Sequence, residues 1–390
     1  MKIVALEARH IRVKLKRPVK HASFARTETD NIVVVCKLAD GTLGYGEGVP
    51  RDYVTGETVE SSIALLKATD WATQFRTPKD FADAVAMAEA LWVNPVPGDD
   101  RGCGGNAARC ALELAVLDAF GHFYAEPLMN VTKLLAPGLY EPREKVQYSG
   151  VMLSGKPLKI RLFAWLYRLL GFMHVKVKVG VAGQNDVRRL KATRRWAGKK
   201  IALRIDANEA WSMVEAAERI RELEPFGIAA VEQPIRHEDA AALAEIRKAV
   251  NTPIMLDESL CGMIDAERAV TAGWCDLFNI RLSKCGGFIP SLRLAEFAVK
   301  NNLGYQLGCQ VGETGILSAA GRHFASSVKS LFAVEGSFDK RLVEDALTEE
   351  DLTFSKWGGW SPMLPGVGLS VRIDAARLDA VTIRREVLLG

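Results

Sequence analysis

Residues 174–180 read HVKVKVG, and the place of its two lysines decides how the chain is read. Side chains alternate between the faces of a strand, so Val175, Val177 and Val179 share one face while Lys176 and Lys178 share the other. Lysine is depleted in strands and is seldom buried without a partner. The stretch alone permits two readings. One is an edge strand whose outward lysines discourage pairing with another chain. The other is an interior strand that carries two ammonium groups to a site.

HVKVKVG belongs to a series of short apolar runs. VQYSG, ALRIDAN, AAVEQP, IMLDES, LFNIRLS, YQLGCQ and LFAVEG complete it, starting near residues 146, 202, 229, 254, 277, 305 and 331. With the run at 174 the spacing is roughly 23 to 28 residues, and helical stretches such as WSMVEAAERIRELEPFG and DAAALAEIRKAV lie between. This rhythm predicts eight parallel strands separated by helices and closed into a barrel. An open doubly wound sheet shows the same alternation, but no GxGxxG follows the first run.

The first third reads differently. Residues 2–15 and 31–38 are strand-like, ADGT (39–42) makes a turn before LGYGEG, and residues 57–134 turn helical. The clearest helix is NAARCALELAVLDAFGHFYA (106–125), with Asn106 as its expected N-cap. After 336 the chain becomes Gly/Pro-rich (KWGGWSPMLPGVGLS) and ends in strand-like SVRI and VTIRREV. The expected organisation is an α+β domain over 1–135, a barrel over 145–336, and a segment over 337–390 that returns to the first domain.

The totals exclude several classes. Hydrophobic residues make up 48% and charged residues 25% of 390, and 51 basic against 47 acidic residues are mixed along the chain. That is a globular composition with no basic run or zinc-finger spacing, so nucleic acid is not an expected partner. No window of about 18 uncharged apolar residues offers a membrane span. LFAWLYRLLGFM (162–173) is broken by Arg168 and reads as a half-buried helix. Seven cysteines without a CxxC pair fit reduced thiols, hence a cytoplasmic protein. A homo-oligomer is compatible with a barrel of this size.

Barrel chemistry gathers at the C-terminal ends of the strands. Read to their ends, the runs deliver Lys178, then Asp206 and Asn208, then Glu232, then Asp257 and Glu258, with Lys284 after the sixth and Glu313 after the seventh. Any one carboxylate could cap a helix. Asp206, Glu232 and Asp257 fall at the same phase of consecutive strands about 4.8 Å apart, which a capping role does not account for. Three oxygen ligands without clustered Cys or His favour a hard ion, Mg²⁺ or Mn²⁺. Strands two and six of an eight-stranded barrel are opposed, so Lys178 and Lys284 are expected to face each other across the mouth. A lysine acts as a base only if its pKa falls far below about 10.4. Lys176 is expected to supply the like charge that lowers it.

The series KVKVG, RIDAN, VEQP, LDES and NIRLSKCGG, in this order, resembles the enolase superfamily, and within it the muconate lactonizing enzyme subgroup; GYGEGVP and NAARCALELAVLDAFG resemble its capping domain. The resemblance implies a modified (β/α)₇β barrel with an N-terminal α+β capping domain. It implies Mg²⁺ on Asp206, Glu232 and Asp257, with Lys178 as the base of the KxK motif and Lys284 opposite. Asn208 and Glu258 would support ligands or substrate, and Glu313 takes an acidic position found after the seventh strand. The implied reaction removes a proton α to a carboxylate of a small-molecule substrate and stabilises the enediolate. Racemisation or epimerisation of an N-acyl amino acid leads. Muconate-type cycloisomerisation, o-succinylbenzoate synthase-type dehydration and a non-catalytic metal–carboxylate-binding barrel stand as alternatives.

Two departures shape this reading. Mandelate racemase-like members use a seventh-strand histidine, and none of His10, His21, His122, His174, His237 and His323 closes a barrel strand here. Dipeptide epimerases carry an Asp-x-Asp on the eighth strand for the substrate ammonium, whereas FAVEGSFDK places Glu335 and Asp339 at another spacing. The resemblance also makes specificity loops of KHASFARTETDN (20–31) and VPRDYVTGET (49–58), whose Lys20, Arg26 and Arg51 could meet an acidic substrate. Gly286 and Gly287 could form an anion nest or simply let the loop turn tightly.

Overall fold

The computed structural model describes residues 1–20, 25–152 and 157–390; the side chains of Lys20 and Ala25 also lie outside the described residues. Strands β1 (Ile3–Lys20), β2 (Ala25–Leu38) and β3 (Leu43–Gly48) form an antiparallel meander. The helix Asn106–Tyr124 packs across it. Gly44, Gly46 and Gly48 alternate onto one face of β3 and meet the backbone at Ala119, Ala111 and Ala107 of that helix. A Cβ at Gly46 would lie 2.0 Å from the carbonyl oxygen of Ala111. The alternating glycines of GYGEG therefore exist for close approach. Gly46→Ala is expected to destabilise the protein by about 1–3 kcal/mol through overpacking. Urea unfolding checks this, and an unchanged midpoint would contradict it.

A short strand, β4 (Lys145–Gln147), precedes the barrel, which begins with β5 (Gly150–Met152). Then follow β6 (His174–Lys178), β7 (Ala202–Asp206), β8 (Ile228–Glu232), β9 (Ile254–Leu256), β10 (Leu277–Ile280), β11 (Gly304–Leu307) and β12 (Leu331–Val334). Strands β5 to β12 form one eight-stranded sheet in sequential order, and each neighbouring pair in it runs parallel. A helix follows each of β5 to β11, which is the βα alternation that the spacing predicts. The ends of the sheet meet where the Ser149 amide donates to the Val334 carbonyl at 2.8 Å.

The C-terminal segment has two attachments. Strand β13 (Trp360–Pro362) pairs with β4, and β14 (Thr382–Leu389) pairs antiparallel with β1. SVRI, strand-like by sequence, makes only an isolated bridge between Ile373 and Thr348. The cap also grips the barrel through a buried acid. Glu47 of β3 accepts from the Thr314 and Leu317 amides at 3.0 and 3.1 Å, capping the helix Gly315–Ser327 from outside the barrel. Among the described residues no helix is long and apolar enough to cross a membrane, and the cysteines are free thiols.

Candidate active site

Lys178, Asp206 and Glu232 are register partners at the C-terminal ends of β6, β7 and β8, and Asp257 directly follows β9. Two residues earlier, on the same face, Lys176 pairs in register with Arg204. Glu232, Asp257 and Lys284 are fully buried, and Asp206 nearly so. Lys284 lies in the turn after β10. Four strand steps separate β6 from β10 in the eight-stranded ring, so the two lysines belong to opposite walls.

Every predicted metal ligand faces a cation. Lys176 Nζ donates to Glu335 at 2.7 Å and Glu232 at 3.3 Å, and lies 3.4 Å from Asp206. Asn279 donates to Glu232 at 2.8 Å. Lys284 Nζ donates to the Asp257 carboxylate at 2.9 Å, the Asp257 carbonyl at 2.6 Å and the Asn279 carbonyl at 3.0 Å. Arg281 pairs with the second oxygen of Asp257 and comes within 3.8 Å of Glu232. The acids respond oppositely to this surrounding. Burial pushes Glu232 up to about 8, Lys176 opposing and the charges of Asp206, Glu335 and Asp257 adding to it. Burial would also raise Asp257, but Arg281 and Lys284 hold it at about 2. Burial opposes the charge on Lys284, yet Asp257 keeps its pKa above the ordinary lysine value.

Lys176 is placed differently from the expected tuner of a base. Burial lowers its pKa, yet Glu232, Glu335 and Asp206 outweigh this and raise it well above the ordinary value. Its charge is engaged by three carboxylates, so it does not stand as an uncompensated like charge beside Lys178. Lys178 Nζ instead donates to Asn208 Oδ1 at 2.6 Å. That contact gives Asn208 a definite task, and the backbone bends to allow it: Asn208, Glu209 and Gln233 adopt φ of 43°, 65° and 37°. Such strain in non-glycine residues collects at functional sites.

The residues suit a hard divalent cation. Three buried carboxylates end adjacent strands, and a guanidinium lies between Glu232 and Asp257, so positive charge is already called for there. Glu232 Oε2 is buried and accepts no hydrogen bond. The donors are all oxygen, the chemistry of Mg²⁺ or Mn²⁺. The three carboxylates do not all bring an oxygen within 4.8 Å of one another. Among the described residues, that closeness is reached by Glu209, His237 and Glu238, a partly exposed group at the barrel rim.

The remaining expectations divide. Glu258 is buried beside Asp257, and burial together with that charge pushes its pKa well up. Glu313 accepts from the Gln310 amide at 2.6 Å and lines a crevice with Tyr148, Leu282 and Glu335. Arg51, expected at a substrate loop, is buried and donates to Thr29 Oγ1 and the Val311 carbonyl, both at 2.8 Å, so it fastens cap to barrel instead. The 20–31 segment is largely strand, since β2 starts at Ala25, and residues 21–24 lie outside the described residues. Asn106 is not the N-cap; Gly105 is, and Glu57 accepts from the Ala107 amide at 3.0 Å in its place. The diglycine nest is filled from within, because Glu113 Oε1 accepts from the Ile289 amide at 3.0 Å and fills the space beside Gly287.

Sequence reasoning missed Arg204, Arg281, Gln233 and Asn279. Arg204 is fully buried, bonds the Gln306 side chain and lies 2.8 Å from Glu335. Gln233 accepts from the Asp257 and Ser259 amides at 3.0 and 3.1 Å, tying the end of β8 to that of β9. For Arg204 the available signal was parity, since it lies two residues before Asp206 on the same face of β7.

Comparison with known proteins agrees with this geometry. Residues 162–376, more than half of the chain, match the family described as enolase C-terminal domain-like. The N-succinyl-L-Arg/Lys racemase of Bacillus cereus is 29% identical over 390 residues, covering 100% of both chains. The D-Ala-D/L-Ala epimerase of Cytophaga hutchinsonii is 31% identical over 76% of each. Among solved structures, the Bacillus cereus N-succinyl Arg/Lys racemase superposes with a TM-score of 0.84 at 26% identity, over 99% of this chain and 100% of the other. A Cytophaga hutchinsonii dipeptide epimerase, complexed with Mg and D-Ala-L-Val, gives 0.82 at 27% identity over the whole of both chains. The chain therefore belongs to the enolase superfamily of enzymes.

Proposed function

We propose that the protein racemises or epimerises N-acyl amino acids by removing and returning the proton α to their carboxylate. The carrying observation is the pair of lysines on opposite walls, with three buried carboxylates on the strand ends between them. Lys178 and Lys284 each serve one face of the substrate, so a proton leaves by one and returns from the other. Mg²⁺, with Mn²⁺ as a chemical equivalent, would be held by Asp206, Glu232 and Asp257; its charge would stabilise the substrate carboxylate and, by engaging Asp257, would offset the contact that raises the Lys284 pKa, so that this lysine can give up a proton. Asn208 holds Lys178 through its amide oxygen, and Gln233 fixes the backbone that presents Asp257. Lack of a histidine closing the seventh strand supports placement with the lysine-pair members typified by muconate lactonizing enzyme. Free thiols support a reducing, cytoplasmic setting.

The acyl preference rests on Glu335. In the dipeptide-epimerase pattern, eighth-strand acids receive the substrate ammonium. Here Glu335 is bound by Lys176 at 2.7 Å and Arg204 at 2.8 Å, while Asp339 accepts from Ser318 Oγ at 2.6 Å. An N-acyl amino acid has no ammonium to satisfy. In D₂O with Mg²⁺, N-succinyl and N-acetyl amino acids are expected to exchange their α-proton in both enantiomers. Dipeptides should exchange about tenfold more slowly, as loss of roughly 1.4 kcal/mol of ammonium recognition gives. Exchange confined to dipeptides, or turnover only of the o-succinylbenzoate precursor or cis,cis-muconate, would overturn the assignment.

A further inference from the structure

We infer that Asn106, in the capping domain, is a positioning residue for Lys284, so that proton transfer on one face of the substrate depends on a side chain outside the barrel. The inference rests on the two-lysine reading above. Asn106 Nδ2 donates to the carbonyl of Lys284 at 2.6 Å and to that of Cys261 at 2.7 Å. One amide therefore spans the loop after β9, which starts at Asp257, and the loop after β10, which carries Lys284. The helix start leaves this amide free, because Glu57 accepts from the Ala107 amide.

Two neighbouring contacts grip the same loop. The Val49 amide donates to Ser283 Oγ at 2.7 Å, one residue before Lys284. Glu113, two helical turns beyond Asn106 on the same face, caps the following helix Phe288–Lys300 through the Ile289 amide at 3.0 Å. The backbone between is shaped to this cradle. Gly286 and Gly287 have φ of +89° and +126°, and a Cβ on them would come 3.0 Å from Asn106 Oδ1 and 2.6 Å from Glu113 Oε1. The loop 283–289 is thus held by capping-domain groups at its start, middle and end. Of the held points, the Lys284 carbonyl belongs to the residue that carries the functional ammonium, and Asn106 holds it.

Displacement of a catalytic group by about 1 Å costs up to roughly 10²-fold in rate, and the loss falls on the step that the group performs. Full-length Asn106→Ala and Asn106→Ser proteins with Mg²⁺ are compared with the unsubstituted enzyme in D₂O. NMR follows α-proton exchange without inversion separately for the L and D forms of an N-succinyl amino acid. The Lys178→Ala and Lys284→Ala proteins identify which enantiomer presents its proton to Lys284.

For that enantiomer, Asn106→Ala is expected to slow exchange roughly 10- to 100-fold, while exchange of the other stays near the unsubstituted rate. Asn106→Ser keeps one hydroxyl donor for two carbonyls and should fall between; if the alanine protein does not fold, the same ratio is read from the serine one. Equal losses for both enantiomers would mean that Asn106 merely holds the fold, and unaltered exchange that it holds nothing; either result overturns the inference. An unsubstituted enzyme that exchanges neither enantiomer overturns the two-lysine reading and the inference with it.

Discussion

Lys178→Ala and Lys284→Ala are each expected to lose racemisation by roughly 10²- to 10⁴-fold, the usual contribution of a positioned acid–base group. The two losses should differ in kind. The lysines belong to opposite walls of the ring, so each variant keeps exchange on the face served by the lysine that remains. Lys178→Ala should slow exchange of one enantiomer and Lys284→Ala that of the other by this factor, while each leaves the opposite enantiomer exchanging near the unsubstituted rate. Their surroundings argue against a shared structural cause. Lys178 Nζ has an Asn208 amide as its partner, whereas Lys284 Nζ is buried against Asp257 and two carbonyls. NMR of separated enantiomers in D₂O checks the pattern. Full racemisation by either variant would remove that lysine from the mechanism.

Glu335→Ala carries the second large effect. Lys176 and Arg204 are both buried, and Glu335 stands 2.7 and 2.8 Å from them. Burial alone would raise its pKa, yet these two cations hold it at about 2. Removing one member of a buried charge network typically costs about 3–5 kcal/mol, because the remaining charges lose their compensation without regaining water. Glu232 cannot take over fully, since it already faces Lys176 and Asn279. The variant is expected to lose that much stability by urea unfolding. The proposed metal site should also loosen, as Lys176 turns more fully to Asp206 and Glu232. A midpoint within the equivalent of 1 kcal/mol of the unsubstituted protein would show that Glu335 is dispensable to the barrel interior.

The barrel was legible because its signal is repeated. The runs recur at regular spacing and three consecutive ones lead into a carboxylate, and Lys178, Asp206 and Glu232 prove to be direct register partners. The cap was legible where periodicity is local, as in β3 and the helix Asn106–Tyr124. What sequence did not disclose were partnerships between distant segments. Asn106 has the chemistry of an N-cap, but Glu57 arrives from elsewhere to do that work and the amide turns to the barrel. Arg51 has the look of a loop charge, yet the Val311 carbonyl draws it inside. Lys176 looked like the companion of Lys178 because they share a strand face, while Glu335, 159 residues away, claims it. Local pattern fixes which residues face inward; which of them meet depends on how the ring closes.

The most direct test of the central claim is α-proton exchange of both enantiomers of an N-succinyl amino acid in D₂O, followed by NMR before chelation, after chelation and after Mg²⁺ is restored. The account predicts exchange of both enantiomers in the presence of Mg²⁺, its loss on chelation and its return with the ion. Exchange that persists after the ion is removed, or that never occurs with the ion present, would contradict the assignment of Asp206, Glu232 and Asp257 to a metal between two opposed lysines.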